Sequence, residues 1–192
     1  EQLKLLTLKS TMENQEIQNN STHSIKWGVI SGVISILITL IIYIVDISLF
    51  TAGWVGILMI AISIFIVFYA SIDYRKLQGG FMTFGQAFLH AFALLAIAGL
   101  LDVTFRYLLF NIIDPEAAVY LAEKQLEATM KVMESFGAGG NTASMDGIAK
   151  GFQDQYKIGT MAIGYATALI VYAVGASIVG AITKKKNQET DF

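Results

Sequence analysis

FGQAFLHAFALLAIAGLLDVTFRYLLF, residues 84–110, carries only one acidic and one basic side chain in 27 positions. A helix needs ~20 mostly apolar residues to cross a ~30 Å hydrocarbon layer, so this stretch is long enough to span a bilayer. Three further runs, at residues 27–45, 54–72 and 159–182, read the same way. The expected fold is all-α: a polytopic bundle of four transmembrane helices. Composition agrees, with 192 residues, 55% hydrophobic and 15% charged, and a mean hydropathy of +0.59. Soluble domains rarely combine such values.

Charge excludes one class of partner. A net charge of -2 supplies no basic field, and no basic stripe with interleaved aromatics is present, so nucleic acid has no electrostatic reason to bind. With no cysteine, disulfides, thiolate metal sites and a cysteine nucleophile are excluded. The chain divides into a polar tail at 1–26, a membrane domain at 27–182 with an insert at 111–158, and a basic-then-acidic tail at 183–192. Residues 1–11, which precede Met12, are expected to be upstream or vector-derived sequence, and the first span an uncleaved anchor.

Lys26 precedes the first span, Arg75 and Lys76 follow the second, and the intervening turn at 46–53 has no basic residue. Cytoplasmic flanks retain positive charge, so both termini are expected in the cytoplasm and the insert outside it. The insert's four lysines are diluted by seven acids, and long loops count for less. Trp27, Trp54, Tyr69, Tyr74 and Tyr107 sit near span ends, where amphipathic rings anchor depth. Gly28 and Gly32, Ala87 and Ala91, Ala173 and Ser177, and Ala176 and Gly180 are spaced for close helix approach.

The insert opens with Asp114 and Pro115, an N-cap followed by a proline at the first helical position. Val119, Ala122, Leu126, Met130, Met133 and Phe136 recur at helical spacing, with Glu127 and Lys131 able to pair opposite them. Residues 137–141 break this helix. Ser144 can cap a second, with Ile148, Phe152 and Tyr156 on one side. A helical hairpin is expected, packed on itself rather than lying on the bilayer, because its polar face is acidic.

Polar groups inside spans are costly and are functional candidates. Gln86 and His90 lie four residues apart on one face of the third span, and Asp102 and Arg106 four apart near its other end. The two pairs sit about 160° apart around the helix, which argues against a proton wire along it. Asp46 and Asp102 fall at similar depth, about 27 to 29 Å from the cytoplasmic side. Asp46, Asp102 and Arg106 could therefore form an ion-paired cluster, with an anion site or catalysis as alternatives. His90 could titrate, relay protons or ligate a metal. With His23 in the polar tail as the only other histidine, a hydrogen bond to Gln86 or to a neighbouring span is the expectation. No zinc-protease, nucleophile-elbow, phosphate-loop or Asp-rich metal motif is present, and no cofactor or metal is implied.

The stretch YRKLQGGFMTFGQAF at 74–88, with NIIDP at 111–115, resembles a bacterial membrane family, domain of unknown function 4199, over about residues 24–186. The motif comprises Tyr74, Arg75, Gly79, Gly80, Thr83, Phe84 and Gly85. Its basic residues hold the loop inside, its glycines permit a tight turn, and Thr83 can cap the third span. The resemblance implies four spans, a short inner loop and an outer helical insert, without a reaction or site residues. Neighbouring genes of that family suggest an association with glycosyl transfer to polyprenyl phosphates.

The leading expectation is a noncatalytic scaffold or accessory subunit of the bacterial inner membrane. It would take the lipid bilayer and a membrane-protein partner, or a second copy, as its surroundings. The alternative is a small oligomeric transporter or channel-like protein for a lipid or small solute. An intramembrane enzyme using Asp46, Asp102 and His90 is disfavoured, since His90 lies about 18 Å along the axis from Asp102.

Overall fold

The computed structural model describes residues 2–137 and 142–185, with side chains described for residue 2 and for 21–137 and 145–185. Six α-helices account for nearly all of these residues: α1 (Gln2–Val45), α2 (Gly53–Leu77), α3 (Phe84–Leu108), α4 (Pro115–Ser135), α5 (Thr142–Asp154) and α6 (Ile158–Thr183). A 3-10 turn (Ile47–Thr51) joins α1 to α2, and a π-turn (Leu109–Ile113) extends α3. No strand occurs among the described residues beyond a single bridge between Met82 and Lys185.

Four segments are long and apolar enough to cross a membrane: Ser21–Val45, Gly53–Leu77, Phe84–Ile113 and Ile158–Thr183. Large side chains such as Ile44, Ile57, Phe65, Ile163 and Ile170 stand exposed on them, as lipid-facing residues do. The chain is therefore a multi-pass membrane protein. The expected spans were right in number, but their edges moved. The segment read as a polar tail is helical from Gln2, and α1 runs without a break into the first apolar run. Nothing between Gln2 and Trp27 interrupts it, since that stretch holds neither glycine nor proline. Ser144, the expected cap of α5, lies outside the residues whose side chains are described, as do 138–141 of the expected break; Gly137 begins that break with a left-handed φ of 69°.

The chain forms two compact units. Unit 1 comprises Glu1–Gly32, Ser63–Ala98 and Leu169–Phe192. Its core joins Val67 and Ala70 of α2, Ala91 and Leu94 of α3, and Ala176 and Val179 of α6, with Trp27 of α1 against them. Two glycines permit this closeness. A Cβ at Gly28 would lie 2.8 Å from Cβ of Ile97 and 3.1 Å from the Leu94 carbonyl, and one at Gly180 would lie 3.2 Å from the Phe88 amide.

Unit 2 comprises Val33–Ile62 and Gly99–Ala168. Leu109, Phe110, Ala117 and Leu121 form its core, flanked by Tyr43, Phe50, Phe105 and Tyr156. Helix α4 packs on α5 and on both irregular turns, which makes the helical hairpin expected between the third and fourth spans. The expected Lys131–Glu127 pair forms, at 2.8 Å, and Lys124 joins the same carboxylate. The buried face is rotated from the expected one and shares Ala122 with it: Ala117 and Leu121 are also buried, whereas Val119, Met130 and Phe136 are exposed. The start of α4 sets its rotation: the Asp114 carboxylate accepts from the Ala117 amide at 3.0 Å and from the Tyr43 hydroxyl at 2.7 Å.

Those hydrogen bonds, the one from Tyr43 first, hold the Asp114 carboxyl below the usual carboxylate range. A depressed folded value means that the contribution is present above the ordinary ~3.9 and is lost as pH falls through the folded value. Acidification, or Asp114→Ala at neutral pH, should therefore lower the protection of the first turn of α4, relative to the intrinsic exchange rate at the same pH, severalfold while leaving α6 protected. Unchanged exchange at Ala117 in the variant would remove this role from Asp114.

Candidate functional site: a carboxylate–histidine–histidine chain

Within unit 1, α1 and α3 run side by side in the same direction. Gly28 faces Leu94 and Ile97, and His23, five residues earlier, meets His90, four residues before Leu94. Nδ1 of His23 lies 2.7 Å from Nε2 of His90. On its other side, Nε2 of His23 lies 3.2 Å from the carboxylate of Asp73 on α2. The Tyr74 ring stacks on His90, nearly parallel at 6° and 4.7 Å between centroids. His23 is 7% exposed and His90 0%, whereas the Asp73 side chain is 41% exposed.

Tautomer logic constrains where protons sit. The carboxylate of Asp73 accepts from His23 Nε2–H, so His23 Nδ1 in the neutral ring accepts the Nε2–H of His90. The three groups thus form one hydrogen-bonded chain from an exposed carboxylate to a buried imidazole. Nδ1 of His90, Nε1 of Trp27 and Oγ of Ser71 are buried in this unit without a partner among the described residues, so each retains hydrogen-bonding capacity. Among the described residues, no group of three or more His, Cys, Asp or Glu is placed to hold a metal ion.

The other expected pairs are redistributed. Gln86 does not pair with His90. Its side-chain oxygen accepts from the Thr83 amide at 2.8 Å, and its own amide donates to the Thr83 hydroxyl at 3.3 Å, a reciprocal capping box at the start of α3. Asp102 and Arg106 meet at 2.9 Å, with Ser35 donating to Asp102 at 2.6 Å and Phe50 beneath the guanidinium. Asp46 stands apart from that pair. Because α1 stops at Val45, Asp46 adopts extended backbone and its carboxylate accepts from the Ser48 amide at 2.9 Å, capping the 3-10 turn. Shared depth placed these residues in one layer; helix rotation decides which of them touch.

The loop motif acquires roles from this geometry. Gly79 and Gly80 take φ of 74° and 89°, the left-handed region their tight turn requires. Arg75 donates to the Thr183 carbonyl at 3.1 Å, closing the end of α6. Met82 and Lys185 exchange two backbone hydrogen bonds, at 2.9 and 2.8 Å. Phe84 packs at Gly180, and a Cβ on Gly85 would meet nothing. Tyr74, the motif's first residue, is the ring that covers His90. His23 is the functional candidate that the sequence hides, because Lys26 looks like the membrane edge.

No curated protein and no solved structure matches this chain. The family described as protein of unknown function (DUF4199) matches residues 26–185, taking in Asp73, Tyr74 and His90 together with the loop motif, and the chain belongs to that family.

Proposed function

We propose that this protein is a noncatalytic accessory subunit of a membrane complex, seated in a bacterial inner membrane. Both termini and the α2–α3 loop would face the cytoplasm, and the α4–α5 hairpin the opposite side. The orientation rests on Lys26, Arg75, Lys76, Lys184 and Lys185, against a 46–53 turn free of basic residues. The observation that carries the functional reading is where the span-borne polar groups go. Asp102 is taken by Ser35 and Arg106, and Tyr43 by Asp114. Such pairing within the chain fits side chains that fix helix positions. A partner helix has room on α6, where a Cβ at Gly159, Gly164 or Gly175 would meet nothing. Crosslinking and affinity purification from native membranes should return a reproducible membrane-protein partner or a second copy. Recovery of the uncrosslinked monomer alone would contradict the proposal.

The Asp73–His23–His90 chain favours a second reading, proton-coupled movement of a lipid or small solute by an oligomer. Proteoliposomes under an imposed pH gradient discriminate the two. Flux abolished by His90→Phe supports transport, and absence of flux across candidate solutes sinks it.

A further inference from the structure

Where α2 and α6 end in unit 1, the basic residues Arg75, Lys184 and Lys185 sit at or just beyond the helix ends. Arg75, Lys184 and Lys185 form no ion pair with a carboxylate among the described residues, whereas Lys124, Lys131 and Lys157 each have one within 3.0 Å. Two of the three are held in place. Arg75 is tied to the Thr183 carbonyl, the Lys185 backbone is locked to Met82 by two hydrogen bonds, and the Lys185 ammonium lies 5.7 Å over the Phe81 ring.

An apolar groove runs along the same two helices, also within unit 1. It measures about 190 Å³ and is walled by Ile64, Val67 and Phe68 of α2, Leu95 of α3, and Ile178 and Ile182 of α6. Ile182 lies two residues from Lys184, and Phe68 seven residues, or about 10 Å, from Arg75. Gly175 lines the groove too, and its missing side chain leaves open space there. A groove in a membrane-facing surface takes an acyl chain, and cations near its end that have no carboxylate partner among the described residues take a phosphate.

We infer that this groove and the Arg75–Lys184–Lys185 cluster form a binding site for an anionic phospholipid, with one acyl chain between α2 and α6 and the headgroup phosphate on the basic cluster. Charge complementarity selects the occupant: a zwitterionic lipid fits the groove equally well but gains less from three cations.

Native mass spectrometry of the full chain in detergent, titrated with phosphatidylglycerol or phosphatidylcholine of identical acyl chains, tests this. The wild type should prefer phosphatidylglycerol. Each neutralised lysine in Lys184→Gln and Lys185→Gln should cut that preference roughly fivefold. Gly175→Leu, which fills the groove, should weaken both lipids alike and leave the preference intact; Ile182→Trp replaces it if that variant does not purify. Equal binding of both lipids by the wild type would overturn the site, as would a preference untouched by the double lysine change. Groove-filling variants that bind normally would show that the chain lies elsewhere, and full competition by inorganic phosphate would show an anion site without a lipid. Either result overturns the proposal.

Discussion

His90→Leu is expected to lower the stability of the purified protein by about 1–3 kcal/mol, because it leaves Nδ1 of buried His23 without its partner at 2.7 Å. His23→Leu should do similar damage from the other side, and it also frees the Asp73 carboxylate. Their combination is the informative variant. Replacing both members of a buried hydrogen bond by apolar groups can be nearly neutral, so the double variant should be less destabilised than the sum of the singles, by about 0.5–3 kcal/mol. Purely additive losses would mean that the two rings do not interact. Unfolding midpoints in a common detergent supply the comparison.

Gly28→Ala should be nearly as costly, although it adds one methyl group. The new Cβ would sit 2.8 Å from Cβ of Ile97 and 3.1 Å from the Leu94 carbonyl, and neither atom is the free end of a flexible side chain. Helices α1 and α3 must then separate in unit 1, at a cost of about 1–3 kcal/mol. Separation also lengthens the nearby His23–His90 contact, so this variant should carry part of the His90→Leu phenotype. Gly175→Ala serves as the control. Its Cβ would meet nothing within 4 Å, and alanine in a helix interior gains roughly 0.5–1 kcal/mol over glycine. Equal effects at the two positions would refute the close approach at Gly28.

The four spans were legible because a helix in hydrocarbon must be apolar along its whole length, a signal summed over some 20 residues. The Asp114–Pro115 start and the Gly79–Gly80 turn were legible for the opposite reason, since each is a local backbone requirement with its own residue type. What the sequence withheld depends on helix rotation. Asp46 and Asp102 share a depth, yet Asp46 caps the 3-10 turn while Asp102 faces Ser35. In α4, docking through Asp114 and Tyr43 turned Ala117 and Leu121 inward in place of the Val119–Met130 stripe. The π-turn at Leu109–Ile113 leaves no compositional trace, but within it Asn111 donates to the Tyr156 carbonyl at 2.9 Å. His23 combined both difficulties: it lay beyond the apparent membrane edge, and its partner stands 67 residues away.

Because His23 and His90 are the only two histidines, nitrogen-15 NMR of the full chain in lipid nanodiscs, labelled at histidine, observes the site without assignment ambiguity. One spin coupling should pass between Nδ1 of one ring and Nε2 of the other through their shared proton, and His23→Leu should abolish it. Two rings with no coupling between them would contradict the hydrogen-bonded chain from Asp73 to His90.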